Sequence, residues 1–299
     1  MAVIDSMRQL SVLHITRYAY SADVESAQHA AVLVPRDTPW QRVLDWELDI
    51  TPEPDGWRGA AERVRRDAWG NARLVFGHAR VHQRLTVSSR FSVALQSRPA
   101  PDPARGPAWE QAALQPMAGF EEVREFGLPS PLAMPDAAIR NFAGRAFVPG
   151  TTVAQVGLTL QHLIHDSLHY RPASTQVSTR AAQALAQGAG VCQDFAHLFI
   201  ACARSRGLAA RYVSGYLLTQ PPPGQPRLVG ADASHAWVEL WCPEQGWMAL
   251  DPTNDIPANL DHVTLAWGRD YNDVAPLRGV LRGGGTASLV VEVTVEPEA

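Results

Sequence analysis

The sequence predicts an α+β protein: a β-sandwich at the N-terminus, then a core in which a cysteine-bearing helix packs on an antiparallel sheet. Three observations predict it. Residues 10–96 run as short stretches of alternating apolar and polar side chains separated by turn residues. The segment from Ser97 to Pro107 carries four prolines, too many for a helix or a central strand, and reads as an extended linker. Beyond residue 136 apolar residues first recur at helical spacing and then alternate again. The expected division is a sandwich over 1–97, a connecting segment over 98–135, and a core with a C-terminal strand over 136–299.

In the first unit the alternating runs are Leu10–Tyr20, Ala30–Pro35, Val43–Ile50, Ala72–Phe76, Arg80–Val87 and Arg90–Leu95. Pro52-Glu-Pro-Asp-Gly56 and Trp69-Gly-Asn71 supply turn chemistry between them. Six or seven short strands at this spacing make a small sandwich. Its histidines, His14, His29, His78 and His82, are scattered, with no partner at ligand spacing. Nothing there reads as catalytic.

Composition narrows the function classes. The chain has 299 residues, 46% hydrophobic and 19% charged, with a formal net charge of −4. That balance leaves no footprint for nucleic acid or an anionic membrane. All 26 basic residues are arginine. The start, Met1–Arg8, lacks the basic and apolar regions of a secretory signal, and no run approaches the length of a membrane span. Three cysteines do not make a disulfide framework, so a reducing cytoplasm is the expected setting. Cys202 and Cys242 sit in apolar runs and read as core residues.

The second unit opens with two helical patterns, Asp136–Ala146 with Asp136 as N-cap and Thr151–Leu168 with threonine at its start. His162, His165 and His169 share one face of the latter. No cysteine or carboxylate cluster completes a ligand set, so flanking an amphipathic helix is the stronger reading, and neither metal nor cofactor is expected. Gly188-Ala-Gly190 then turns into a helix that starts at Cys192 and runs to about Arg206. The N-terminus of a helix carries partial positive charge and unpaired N–H groups, which favour a thiolate placed there.

Three strands follow: Ala210–Leu218, Ser234–Trp241 and Trp247–Asp251, with a proline-rich loop, Gln220–Pro226, after the first. Pro243–Gly246 makes the last two a hairpin, so His235 at the start of one strand meets Asp251 at the end of the next. An aspartate beside a histidine fixes its tautomer and stabilises the imidazolium. A cysteine on a helix packed against that sheet completes nucleophile, base and orienter.

The motifs Gly190-Val-Cys192-Gln-Asp194-Phe-Ala-His197, Ala210–Tyr216, Ser234-His235-Ala-Trp237, Asp251-Pro-Thr-Asn254 and Gly268–Gly279 resemble those of the transglutaminase-like superfamily. His14–Tyr20 and Leu33–Arg36 are similar to the opening strands of its bacterial form, in which a β domain precedes a papain-like core. The resemblance covers nearly the whole chain. It implies Cys192 as nucleophile, His235 as base and Asp251 as orienting acid. The backbone N–H of Cys192 is the first oxyanion donor. Relatives often supply a second from an upstream aromatic side chain, for which Tyr170 is the candidate. Gln193 follows the cysteine instead of preceding it and takes no oxyanion role. Asp194 caps backbone N–H groups, while Trp237, Asn254, Asp270, Tyr271 and His197 stand behind the triad.

Such a site forms a thioester from an amide or ester. Water then gives hydrolysis, whereas an amine gives cross-linking, and three residues alone do not decide between them. Hydrolysis of a peptide or protein is favoured, since cross-linking relatives of eukaryotes carry calcium sites and no acidic calcium loop appears. The alternatives are a protein-glutamine cross-linking enzyme and an inactive binding scaffold on the same fold. A partner peptide ligase or protease is compatible with the resemblance. The oligomeric state is not encoded in any motif.

Overall fold

The computed structural model describes residues 7–114, 121–219 and 234–298. Its N-terminal half contains β1 (Met7–Ala31), β2 (Gln41–Thr51), a one-turn helix α1 (Ala60–Arg63), β3 (Val64–Arg66), β4 (Ala72–His78) and β5 (His82–Gln96). The strands pair antiparallel in the order β2-β5-β1-β4-β3. β1 changes partners along its length: residues up to Ala19 lie beside β5, and those from Ala27 lie beside β4. A register shift between Ala19 and Val24 separates the two regimes.

These strands are fewer and longer than expected. Leu10–Tyr20 extends to Ala31 and absorbs the start of the Ala30–Pro35 run, because no glycine or proline interrupts residues 21–29. Arg80–Val87 and Arg90–Leu95 are likewise one strand through Ser88 and Ser89, whose paired registers with Ile15 and His14 are unbroken. Val32–Pro35 leaves the sheet but stays buried, held in part by Ser89 Oγ donating to the Leu33 carbonyl at 2.6 Å.

The connecting segment forms short helices, α2 (Trp109–Leu114), α3 (Glu121–Arg124) and a 3-10 turn at Glu125–Gly127. Then come α4 (Ala137–Ala143), α5 (Val153–Ser167), β6 (His169–Tyr170), α6 (Ala181–Gln187), β7 (Ala189–Gly190) and α7 (Cys192–Arg204). Asp136 and Thr152 cap α4 and α5 by accepting the Ile139 and Gln155 N–H groups at 2.8 and 3.1 Å. The core sheet contains β8 (Ala210–Leu217), β9 (Ser234–Cys242), β10 (Gly246–Asp251), β11 (Ile256–Pro257) and β12 (His262–Gly268). Its order is β11-β10-β9-β8-β12. The expected Gln220–Pro226 loop lies outside the described residues, as does most of the Met1–Arg8 start.

Alternation sorts the core sheet into two faces. Ala236, Val238, Leu240 and Leu250 pack with Leu198, Phe199 and Cys202 of α7 in the largest buried cluster. Removing such side chains from water contributes about 25 cal/mol per Å² of apolar surface, which binds the cysteine helix to the sheet. Tyr216, Val263 and Leu265 project into the core of the N-terminal sheet beside Leu10 and Phe91. The two halves therefore share a buried core.

The C-terminus departs from expectation. After α8 (Tyr271–Val274) there are two strands, β13 (Leu277–Gly283) and β14 (Ala287–Pro297), and both pair with β1 of the N-terminal sheet. β14 lies along Leu10–Tyr20, and β13 along Val24–Ala31. Among the described residues no helix is long and apolar enough to cross a membrane.

Candidate active site

Cys192 is the first residue of α7 and is half-buried. The chain enters the helix through Val191 in an extended conformation. Asp194 folds back under this start: its Oδ2 accepts the Val191 N–H at 2.8 Å and the Thr175 hydroxyl at 2.6 Å. Gly190 is required there, since a Cβ at that position would lie 2.6 Å from the Asp194 Cβ. Burial pushes the Asp194 carboxyl up, against the two hydrogen bonds. The Gln193 amide donates to the Val177 carbonyl at 3.1 Å.

The hairpin supplies the other two groups. β9 and β10 pair antiparallel with Leu250 opposite Val238, which brings Asp251 to the His235 end of β9. His235 Nε2 lies 2.8 Å from Asp251 Oδ2. Cys192 is near enough that its thiol adds to the pull of Asp251 on the same ring. Burial works against the imidazolium, but the hydrogen bonds and charges of Asp251 and Cys192 outweigh it and push His235 up to about 10. An imidazole held protonated at neutral pH beside a cysteine side chain is suited to activating a thiol.

Asp251 is fully buried and accepts from five N–H donors. Oδ1 takes the backbone N–H groups of Thr253 and Asn254 at 3.0 and 3.3 Å, an Asx turn. Oδ2 takes His235, the Asn254 side-chain amide at 2.6 Å and His262 Nε2 at 3.2 Å. Burial raises this carboxyl, but the bonds from His235, His262 and Asn254 hold it well below the usual carboxylate range. Trp237, with no exposed surface, covers the group: its ring lies edge-on to His262 at 5.2 Å and tilted to His235 at 6.2 Å. Gly215, opposite His235 on β8, leaves room for that indole, which a Cβ would approach to 2.6 Å.

Tyr170 pairs with Gly190 in the short parallel β6–β7 ladder, two residues from the cysteine. It is 56% exposed, and burial and then the Cys192 charge raise its phenol. Sequence reasoning missed Tyr212. This buried β8 residue is pushed well above the usual phenol range by burial first and then by the nearby Cys192. Its place on the helix-facing side of a strand next to β9 was the available signal.

Asp270 and Tyr271 brace the scaffold. Asp270 caps α8 through the Asn272 N–H at 2.8 Å and accepts the Leu132 N–H at 3.0 Å. The Tyr271 N–H donates to His197 Nε2 at 3.1 Å, and its ring meets Tyr212 edge-on at 6.3 Å. His197 is fully buried on α7, and that burial lowers it to about 4. The α5 histidines do not converge: His162 pairs with Asp255 at 2.8 Å, His165 with the Thr253 carbonyl at 3.0 Å, and His169 sits in β6. Among the described residues one group, His235, Asp251 and His262, has ligand atoms close enough for a cation. Its nitrogens are already committed to the carboxylate, so it reads as a hydrogen-bonded relay.

A cysteine at a helix start packed against an antiparallel sheet, with an imidazole and a carboxylate beside it, is the kind of site that a thiol-dependent enzyme uses. Comparison with known proteins agrees. Residues 141–252 match the transglutaminase-like superfamily, and residues 10–94 match the bacterial transglutaminase-like N-terminal region. An uncharacterized Mycobacterium tuberculosis protein is 39% identical over 299 residues, spanning 95% of this chain and 91% of its own. A Cytophaga hutchinsonii structure classed as a candidate cysteine protease superposes with a TM-score of 0.76 at 21% identity, covering 98% of this chain and 91% of that one. A Pseudomonas aeruginosa protein-glutamine gamma-glutamyltransferase is 33% identical over 131 residues, 42% of this chain and 20% of that protein. The chain belongs to the transglutaminase-like superfamily, in its bacterial form with the dedicated N-terminal region.

Proposed function

We propose that this protein hydrolyses amide bonds in a peptide or protein through a Cys192–His235–Asp251 triad. The observation that carries the reading is the Asp251 carboxylate on Nε2 of the half-buried His235, a ring that also feels Cys192 at the start of α7. Cys192 sulfur attacks the carbonyl carbon, and the oxyanion is met by the Cys192 backbone N–H at the positive end of α7. The phenols of Tyr170 and Tyr212, both close enough to feel the cysteine's charge, are the candidates for a second donor. His235 passes its proton to the leaving amine as the C–N bond breaks, giving a thioester. His235 then takes a proton from water, which attacks the thioester, releases the acid and restores the thiol.

A second reading, transfer of the acyl group to an amine, is favoured by the partial match to the Pseudomonas transferase. The two differ only in what attacks the thioester. The experiment is incubation with amide and peptide libraries, with and without a primary amine, read by intact-protein mass spectrometry and product analysis. We expect a Cys192-linked acyl adduct, released amine and free acid, with none of these from folded Cys192→Ala. Turnover by purified Cys192→Ala would sink the triad. Amide products dominating over acid at millimolar amine would select the second reading.

A further inference from the structure

One ionisable side chain at the triad has no role in this scheme. His262 opens β12, has no exposed surface, and lies on a strand that pairs with β8 and not with the catalytic hairpin. Its Nδ1 accepts the Asn259 backbone N–H at 3.1 Å. The Asn259 side-chain oxygen is equally near that nitrogen and also accepts the Asp261 N–H at 2.8 Å. Because Nδ1 accepts the backbone N–H and the Asp251 carboxylate can only accept, the ring proton sits on Nε2, aimed at Asp251 Oδ2. Burial lowers the proton affinity of His262, Asp251 raises it, and His235 and Arg98 lower it further, so the ring is neutral at neutral pH.

We propose that His262 is a positioning residue: as a neutral donor of fixed tautomer it pins Asp251, and through Asp251 it sets the plane of the His235 ring against Cys192. The inference rests on the triad reading. The physical case is the geometry at one oxygen. Asn254 and His235 reach Oδ2 from the loop and from β9, and His262 is the donor from the opposite edge of the sheet. With the Thr253 and Asn254 N–H groups on Oδ1, the carboxylate has no free rotation. Removing His262 would leave a void beside Trp237 and a carboxylate held from one side. It would also concentrate the charge of Asp251 on His235, which would then keep its proton to higher pH.

The test needs no natural substrate. Iodoacetamide alkylation of Cys192, in which the S–C bond forms as iodide leaves, is followed by mass spectrometry between pH 5 and 11 for the wild type, His262→Leu and His262→Gln. The upper inflection of that profile reports the loss of the His235 proton. We expect His262→Leu to move the inflection upward and to slow alkylation at pH 7 on the order of tenfold, less than the 10²-fold that a 1 Å misplacement costs. His262→Gln, which keeps an N–H donor near the Nε2 position, should restore both. A folded His262→Leu with an unchanged profile would overturn the proposal. So would nitrogen-15 NMR of the wild type placing the His262 proton on Nδ1, a measurement that stands even if His262→Leu does not fold. Cys192 reacting no faster than the buried Cys202 and Cys242 would instead sink the triad reading itself.

Discussion

Two groups of histidines in this molecule contrast sharply. His235 and His262 face each other with ring centroids 6.0 Å apart, and Asp251 lies between them. In the N-terminal sheet, His78 stands 6.0 Å from His29 and 5.0 Å from His82, packed with Phe76 and Tyr20. There His78 Nε2 meets the Pro52 carbonyl and His82 Nδ1 the Arg80 carbonyl, while His29 Nε2, His78 Nδ1 and His82 Nε2 have no partner. Spacing and burial are similar. What differs is the company His235 keeps, Asp251 and then Cys192. With it, His235 is raised to about 10; without it, burial and then its two neighbours lower His29 to about 4. His235 becomes a held cation, whereas His29 in the other half, like His262 beside the same Asp251, is kept neutral.

Removing that carboxylate's charge is the largest test of the contrast. Asp251→Asn keeps the shape but takes away the anion that holds the His235 proton and can turn the ring to the wrong tautomer. Turnover should fall by roughly 10³- to 10⁴-fold, as when the orienting acid of a serine triad is replaced. Measured kcat within threefold of the wild type would mean that Asp251 does not orient His235.

The N-terminal group should show itself in stability instead. His29 titrates near 4 when folded and near the ordinary 6.5 when unfolded. Its neutral form is thus favoured by folding, and the contribution is complete above pH 6.5 and lost as pH falls toward 4. His14 and His197, also lowered to about 4 by burial, act in the same window. The urea midpoint should therefore drop between pH 7 and pH 4.5, and His29→Leu should drop less. Equal losses in the two proteins would show that the acid sensitivity lies elsewhere.

What the sequence disclosed follows the range of the interactions. Caps, the Cys192 helix start and the His235–Asp251 hairpin are set within a few residues of one another, so local periodicity and turn chemistry reveal them. His262 was not legible because its partner Asp251 is reached through β12 pairing with β8, a link no neighbouring residue announces. Tyr212 was read as part of a strand, and alternation does not say what lies across from a given face. The approach of His29 to His78 and the pairing of β13 and β14 with β1 depend on contacts across the sheet between distant segments. Nothing short-range encodes them.

The smallest expected effect concerns the loop that follows Asp251. His162 of α5 bonds Asp255 at 2.8 Å and lies 3.3 Å from Asp166, while Gln161 reaches the other Asp255 oxygen at 3.1 Å. Asp255 has a positive φ of 55°, so these contacts hold a tight turn next to Asn254. Asp255 and then Asp166 raise His162 above its usual value, which makes the pair ionic at acid pH and weaker as pH rises. Yet the His162 side chain is 64% exposed, and exposed pairs of this kind contribute little. His162→Ala should change kcat by no more than about threefold, because Asp251 keeps its own five donors. A tenfold loss would show that α5 holds the aspartate through this loop, and that the hydrogen bonds at Asp251 alone do not suffice.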